Sequence, residues 1–460
     1  MSVAPRPGPS SPRAYTFPAV ERATLANGLC VMVARIPRLP LVSVLALVDA
    51  GASRDAPGLE GQAALTAQAL SEGTAHLDGG ALMEQFELLG TGLETGSDWD
   101  DATAQLTVTP ARLERSVSLL GDVLIAPAFA SYEVERLKAE RLAELQQQRM
   151  EPRGLADDSF VERLFVRGSR YAVPEGGSDT SITAIGVEHL RAFHRQYFVP
   201  GATALIFAGD VTMDVAVQLA ERTMGAWRGG PALAPTDVDD ATARSRGVHI
   251  VNKTGAPQTE LRVGHRGLPR SHQDYFPVLV MNALLGGLFS SRINLNLRER
   301  NAFTYGARSG FAWRRRAGPF IVSTAVKSEV TDAATREIVA EIGKLRDHTV
   351  SEHELSLATA YLDGVFPIRY ETTSAVAEAI AHAHVHGLGE DYQTRYRERV
   401  RAVTASDVRR AAETYLHPDE FLIVAVGDAA TIRDPLERLE LGPLSIESTE
   451  RGEEQPRSTS

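Results

Sequence analysis

The 460-residue chain has almost nothing that could stiffen it covalently: its single cysteine is Cys30, in the apolar run LCVMV. An internal disulfide is excluded, a cysteine-based metal site is implausible, and Cys30 reads as a small buried strand residue. Nowhere do 18 apolar residues run together, so no membrane partner is expected. The opening MSVAPRPGPSSPRAYTFPAV lacks the basic-then-apolar order of a secretory signal, and the expected localisation is cytoplasmic. Positive charge is also short, with 48 Lys and Arg against 59 Asp and Glu, a net of −11. Nucleic acid and anionic membrane surfaces both require a basic footprint, so neither is the expected partner. The signatures G-x-x-x-x-G-K-[ST], G-x-G-x-x-G after a strand and G-x-S-x-G are absent, which removes support for phosphate-cradling and serine-hydrolase readings.

What is present is an ordinary globular composition, 43% hydrophobic and 23% charged, in a chain long enough for more than one domain. It is also written twice. YFVPGATALIFAGD (Tyr197 to Asp210) and YLHPDEFLIVAVGD (Tyr415 to Asp428) share Tyr, Pro, Gly and Asp at one offset of 218 residues. The preceding segments stay in register, and each reads as a helix ended by Tyr, a Pro-confined turn and a buried strand. Two homologous halves are expected, 17–227 and 248–435. The Gly-, Pro- and Asp-rich stretch 228–247 would link them, with a disordered arm at 1–16 and a polar tail at 436–460.

In the first half LCVMVARI, LVSVLALVDAG and ATAQLTVTP read as strands, GQAALTAQALSEG and YEVERLKAERLAELQQQRM as helices. In the second, VHIVN, TELRVGHRG, FTYGARSGFAW and GPFIVSTAVK read as strands, with YFPVLVMNALLGG, TREIVAEIGKLRD and EHELSLATAYLDGVF as helices. Short-turn strand pairs with helices grouped after them predict an α+β fold of mostly antiparallel sheets.

These motifs, from about Phe17 to Asp428, resemble the insulinase/pitrilysin family of metallopeptidases, and its short processing-peptidase-like members in particular. The family's active-site segment has the form Gly-x-Ala-His-x-x-Glu-His followed by an apolar stretch and Gly-Thr. GQAALTAQALSEGT aligns with it without a gap from Gly61 to Thr74. The resemblance then puts Ala64 and Gln68 where two zinc-binding histidines would be, and Ala67 at the catalytic Glu. Glu144, on the long helix and followed by Asp158, falls near the third ligand. A catalytic zinc needs three protein ligands and a water, with a base to take the water's proton. Alanine has no lone pair, a glutamine amide is a poor ligand, and one carboxylate cannot hold the ion; no metal is expected on this chain. Read without the family, Glu144 is a solvated position on a charged helix.

In the second half NALLGGLFSSRINLNLRERNAFTYGARSGF resembles the family signature in which an Arg at a helix end and a Tyr on the next strand meet the substrate carbonyl. The match gives Arg298 and Tyr305, whose donors suit a developing oxyanion. Gly286-Gly287 reads as a helix C-cap. The rival constellation Glu378, His382 and His386 spans about 12 Å of helix axis, too far for one ion; His382 and His386 read as surface residues, and His189 and His194 take no role. The resemblance thus implies a non-catalytic, substrate-binding subunit, with zinc carried by a homologous H-x-x-E-H partner and an unfolded peptide as substrate. The alternative is a structural or assembly subunit similar to the peptidase-related core proteins of respiratory complexes.

Overall fold

The computed structural model describes residues 14–230, 233–242 and 246–448. Its strands form two six-stranded sheets. The first contains β1 (Val20–Thr24), β2 (Cys30–Arg35), β3 (Val42–Val48), β4 (Glu94–Ser97), β5 (Ala102–Val108) and β6 (Thr203–Gly209), ordered β1-β2-β6-β3-β5-β4. The second contains β7 (Gly247–Asn252), β8 (Gln258–Arg266), β9 (Ala307–Phe311), β10 (Pro319–Lys327), β11 (Leu422–Gly427) and β12 (Leu444–Ser448), ordered β12-β7-β11-β8-β10-β9. The path β2-β6-β3-β5-β4 is repeated by β7-β11-β8-β10-β9. In each, the first pair is parallel and the others antiparallel.

The repeat also holds at the level of single residues. Helices Val187–Tyr197 and Ala405–Tyr415 both end on the Tyr, and Pro200 and Pro418 each open the short turn before β6 and β11. Proline's fixed φ and missing N–H suit that first-turn position and stop the helix from continuing.

Buried along its whole length, β3 has both of its faces covered. Val42, Val44, Ala46 and Val48 join the core of the first half, while Leu45 and Leu47 face a second core built largely by the other half. Helix Thr373–Val385 of the second half lies on β3 and β6 there. In return, helix Pro152–Leu164 of the first half packs on β8 and β11, where Ala156, Phe160 and Leu164 meet Val424 and Val426. Each half thus lends a helix to the other's sheet. Their hairpin tips also meet: the Arg315 amide donates to Asp100 at 2.8 Å and its guanidinium to Asp49 at 2.7 Å. Arg314 lies against the rings of both Trp99 and Tyr171, 3.9 and 4.4 Å from their centroids.

Several boundaries differ from expectation. Residues 436–448 are not wholly tail: β12 adds to the second sheet, parallel to β7. Leu444 and Ile446 are its only apolar residues, too few to mark a strand; backbone pairing holds it. Tyr15 and Phe17 pack edge-on against Phe366 and Tyr370, so only 1–13 of the expected arm lie outside the described residues. Within the expected linker, Val238 is buried against Phe160 and Phe165, and Asp240 accepts from Arg266 and the Ala317 amide, each at 2.9 Å. Cys30 opens β2 half-buried rather than fully buried. The apolar segment Tyr275–Arg300, long enough to span a membrane, is interrupted at Leu288–Ser291 and supplies core residues such as Val278, Met281 and Leu285.

Candidate functional site

The first site is built on helix Gln62–Ala69. Its entry needs glycine: Gly61 has φ +96°, and a Cβ there would lie 2.7 Å from Ile182 and 2.9 Å from the Gly176 carbonyl. The helix start is capped from a distance by Asp55. Its carboxylate accepts from the Gly61 and Ala63 amides at 2.8 Å each, and from Arg170 at 2.9 Å. Burial raises the Asp55 pKa, opposed by the Arg170 charge and the two amides. The Gln62 amide donates to the His189 carbonyl at 2.6 Å, tying the helix to Val187–Tyr197.

So fixed, the helix packs Ala63 and Ala67 fully into the first core, leaves Ala64 half-buried and exposes Gln68. Gln68 and Glu144 line one cleft of about 440 Å³, with Glu72, Glu94, Glu140 and Arg141. Glu144 is mostly exposed and accepts from Arg141 at 3.0 Å; Arg141 also donates to the Gly176 carbonyl at 3.0 Å. Asp158 accepts from Gln148 at 3.1 and 3.2 Å, and burial, then Asp157, pushes its pKa up to about 6. The cleft runs along β4, the outermost strand of its sheet. Among the described residues nothing hydrogen-bonds the free side of β4's backbone.

The second site sits at the equivalent edge, beside β9. Tyr305 precedes β9 instead of lying on the strand as expected, and is 94% exposed. The Asn294 side chain takes the Ala307 amide at 3.0 Å, and the strand starts only there. Arg298, in the last turn before residue 301, lies with its guanidinium 4.5 Å from the centroid of the Phe289 ring and 3.5 Å from Glu299. Phe289 and Tyr305 line the same pocket of about 510 Å³, so Phe289 connects the predicted pair.

Gly286 and Gly287 line this pocket too, and neither is a left-handed cap. The preceding helix ends in a wide turn, and Gly286 is required because a Cβ would come within 2.5 Å of Ser309. Sequence reasoning missed Phe289, Arg153 and Arg308 in the lining. Only Phe289 carried a signal, as a lone aromatic between glycines and serines.

The remaining histidines play other parts. The His382 and His386 rings are 4.6 Å apart, the first exposed and the second half-buried. Partial loss of hydration lowers both below the usual imidazole value, with Arg270 adding to both. Glu378 lines a separate groove with Ser43 and Gln105. His194 is buried and bonds the Leu124 carbonyl at 2.8 Å, and His189 accepts from the Gly186 amide.

Two family models together match most of the chain: "Insulinase (Peptidase family M16)" over 31–170 and "Peptidase M16 inactive domain" over 184–362. The chain belongs to the insulinase family. Among solved structures, it is similar to a peptidase M16 inactive domain from Pseudomonas fluorescens. The TM-score is 0.83 at 26% identity, covering 89% of this chain and 98% of that one. Among curated relatives, a probable mitochondrial-processing peptidase subunit beta of Arabidopsis thaliana is 22% identical, covering 91% of this chain and 80% of its own length. An uncharacterized zinc protease of Mycobacterium bovis is 23% identical, covering 90% of this chain and 94% of its own length.

The donor set of the first site does not fit the family's zinc. Ala64 and Ala67 offer no lone pair, and Glu144 is held by a guanidinium. Among the described residues no three His, Cys, Asp or Glu side chains converge as a metal would require.

Proposed function

We propose that this insulinase-family chain is the non-catalytic, substrate-binding subunit of a zinc peptidase pair. One observation carries the reading: the helix that should hold zinc is anchored firmly at its start while its ligand positions are Ala64 and Gln68 and its base position is Ala67. The scaffold is intact and the chemistry is missing from it. Zinc, the activated water and the base would come from a homologous subunit with H-x-x-E-H.

This chain would supply peptide contacts. The free edge of β4 offers main-chain pairing to an extended segment. Tyr305 and Arg298 present donors at the second site, suited to a carbonyl oxygen that gains negative charge. A closed chamber between two such subunits would admit unfolded peptide and exclude folded protein.

The test co-purifies this chain with an H-x-x-E-H homologue and follows cleavage of an unstructured fluorogenic peptide. Cleavage by the mixture well above either chain alone supports the reading. A complex that forms and cleaves no faster than the partner alone favours the structural or assembly role.

A further inference from the structure

The pocket beside β9 has a charge that the rest of the molecule does not lead one to expect. The chain carries a net of −11, yet the charged residues lining this pocket are Arg153, Arg262, Arg308 and Glu260. Arg262 is buried and already neutralised, donating to Asp157 at 2.6 Å and Glu260 at 2.8 Å. Its role is to hold the wall, and its charge is cancelled.

Arg153 and Arg308 are different. Both are exposed, and among the described residues neither side chain forms an ion pair. They come from opposite halves: Arg153 from the lent helix Pro152–Leu164, Arg308 from β9 itself. Arg153 therefore reaches this pocket only because the helix exchange brings the first half across the second sheet.

Two exposed aromatics complete the rim, Phe289 at 71% with Arg298 against one face, and Tyr305 at 94%. Main-chain pairing is restricted on this side. The Asn294 side chain takes the Ala307 amide at 3.0 Å, and Asn282 donates to the Ser309 carbonyl at 3.2 Å. What remains available is side-chain chemistry: two unpaired guanidinium groups for an anion, and two ring faces for the apolar part of a residue.

We propose that this pocket receives a carboxylate of the bound peptide, either its C-terminal group or an Asp or Glu side chain. The proposal rests on the peptide-binding reading and adds a charge preference to it. A guanidinium fork matches a carboxylate, and its desolvation is small at an exposed site.

The test uses the full chain and a fluorescein-labelled twelve-residue Gly/Ser/Thr/Phe peptide in three forms: free acid, C-terminal amide, and amide with one internal Glu. Anisotropy gives Kd for the native chain and for the double variant Arg153→Gln, Arg308→Gln, whose exposed positions leave the fold intact by circular dichroism. The expected result is about 10-fold tighter binding of a carboxylate form than of the neutral amide, lost in the double variant. Which form gains identifies the source as terminus or side chain. Equal affinity for all three forms, or a preference that survives in the double variant, overturns the carboxylate pocket and leaves the peptide-binding reading standing. Binding of none of the three overturns both.

Discussion

The two halves share a strand path and differ at the same place, the outer edge of each sheet. Beside β4 lies an acidic cleft, lined by Glu72, Glu94, Glu140 and Glu144 against Arg141, along a strand whose edge is free. Beside β9 lies a basic pocket, on a strand whose edge groups are taken by Asn282 and Asn294. The match between halves is strictest where backbone geometry leaves no choice, at the Tyr-to-Pro turn and the parallel strand pair. It fails where side chains meet solvent and ligands. Backbone demands preserve the repeat; surface chemistry is free to separate the halves, into a strand-pairing face and a side-chain-reading face on the function proposed above.

The largest expected effect is at the anchor of the first half. Asp55 and Arg170 are both buried, so Asp55→Ala removes the helix cap and leaves an unpaired guanidinium, costing about 3–5 kcal/mol in denaturant unfolding. Asp274, just before the helix Tyr275–Asn282, pairs with the half-exposed Arg410 and accepts from the Tyr415 hydroxyl at 2.5 Å, and its removal should cost less, about 1–2 kcal/mol. Equal costs would break the contrast between a buried and a surface anchor.

Next come Arg298→Ala and Tyr305→Phe, expected to lower kcat of the mixed complex by about 100-fold for the first and less for the second. Neither should change the unfolding midpoint, because both side chains are exposed or only lightly packed.

A smaller effect sharpens the junction between halves. Burial, then Asp98 and Asp100, pushes Asp101 up to about 7, opposed by Arg315 and with Asp49 adding to the rise. The folded state holds this proton more tightly than the unfolded one, so stability is fully present below about pH 4. It falls as pH rises toward 7 and is flat above. Asp101→Asn should therefore raise Tm by a few degrees at about pH 8 and leave it unchanged near pH 4. A gain that is equal at both pH values would contradict the assignment.

The smallest is Glu144→Gln. An exposed pair with Arg141 is worth at most about 0.5 kcal/mol, so unfolding and complex activity should be unchanged. A large loss of activity would mean that the acidic cleft of the first half does more than border its free strand.

Local pattern carried the regular elements well. The strands β2, β3, β5, β7, β8 and β10, and the paired helices ending at Tyr197 and Tyr415, follow from periodicity and from Pro placement. The degenerate ligand positions could be read because their frame, from Gly61 to Thr74, survives without a gap. The helix exchange could not be read. Nothing in PRGLADDSFVERL or TSAVAEAIAHAHV says which sheet each covers, since both carry an apolar stripe that either sheet would accept. Arg153 was missed for the same reason: its place in the pocket depends on that long-range choice. Tyr305 was misplaced by two residues because strand propensity in FTYG does not register that Asn294 caps the Ala307 amide.

The central claim is that hydrolytic power cannot reside in this chain. Its most direct test measures zinc by atomic absorption and peptide hydrolysis on the same preparation of the purified chain alone. The account predicts sub-stoichiometric metal and no chelator-sensitive cleavage. One zinc per chain, with cleavage abolished by a chelator and restored by zinc, would contradict it.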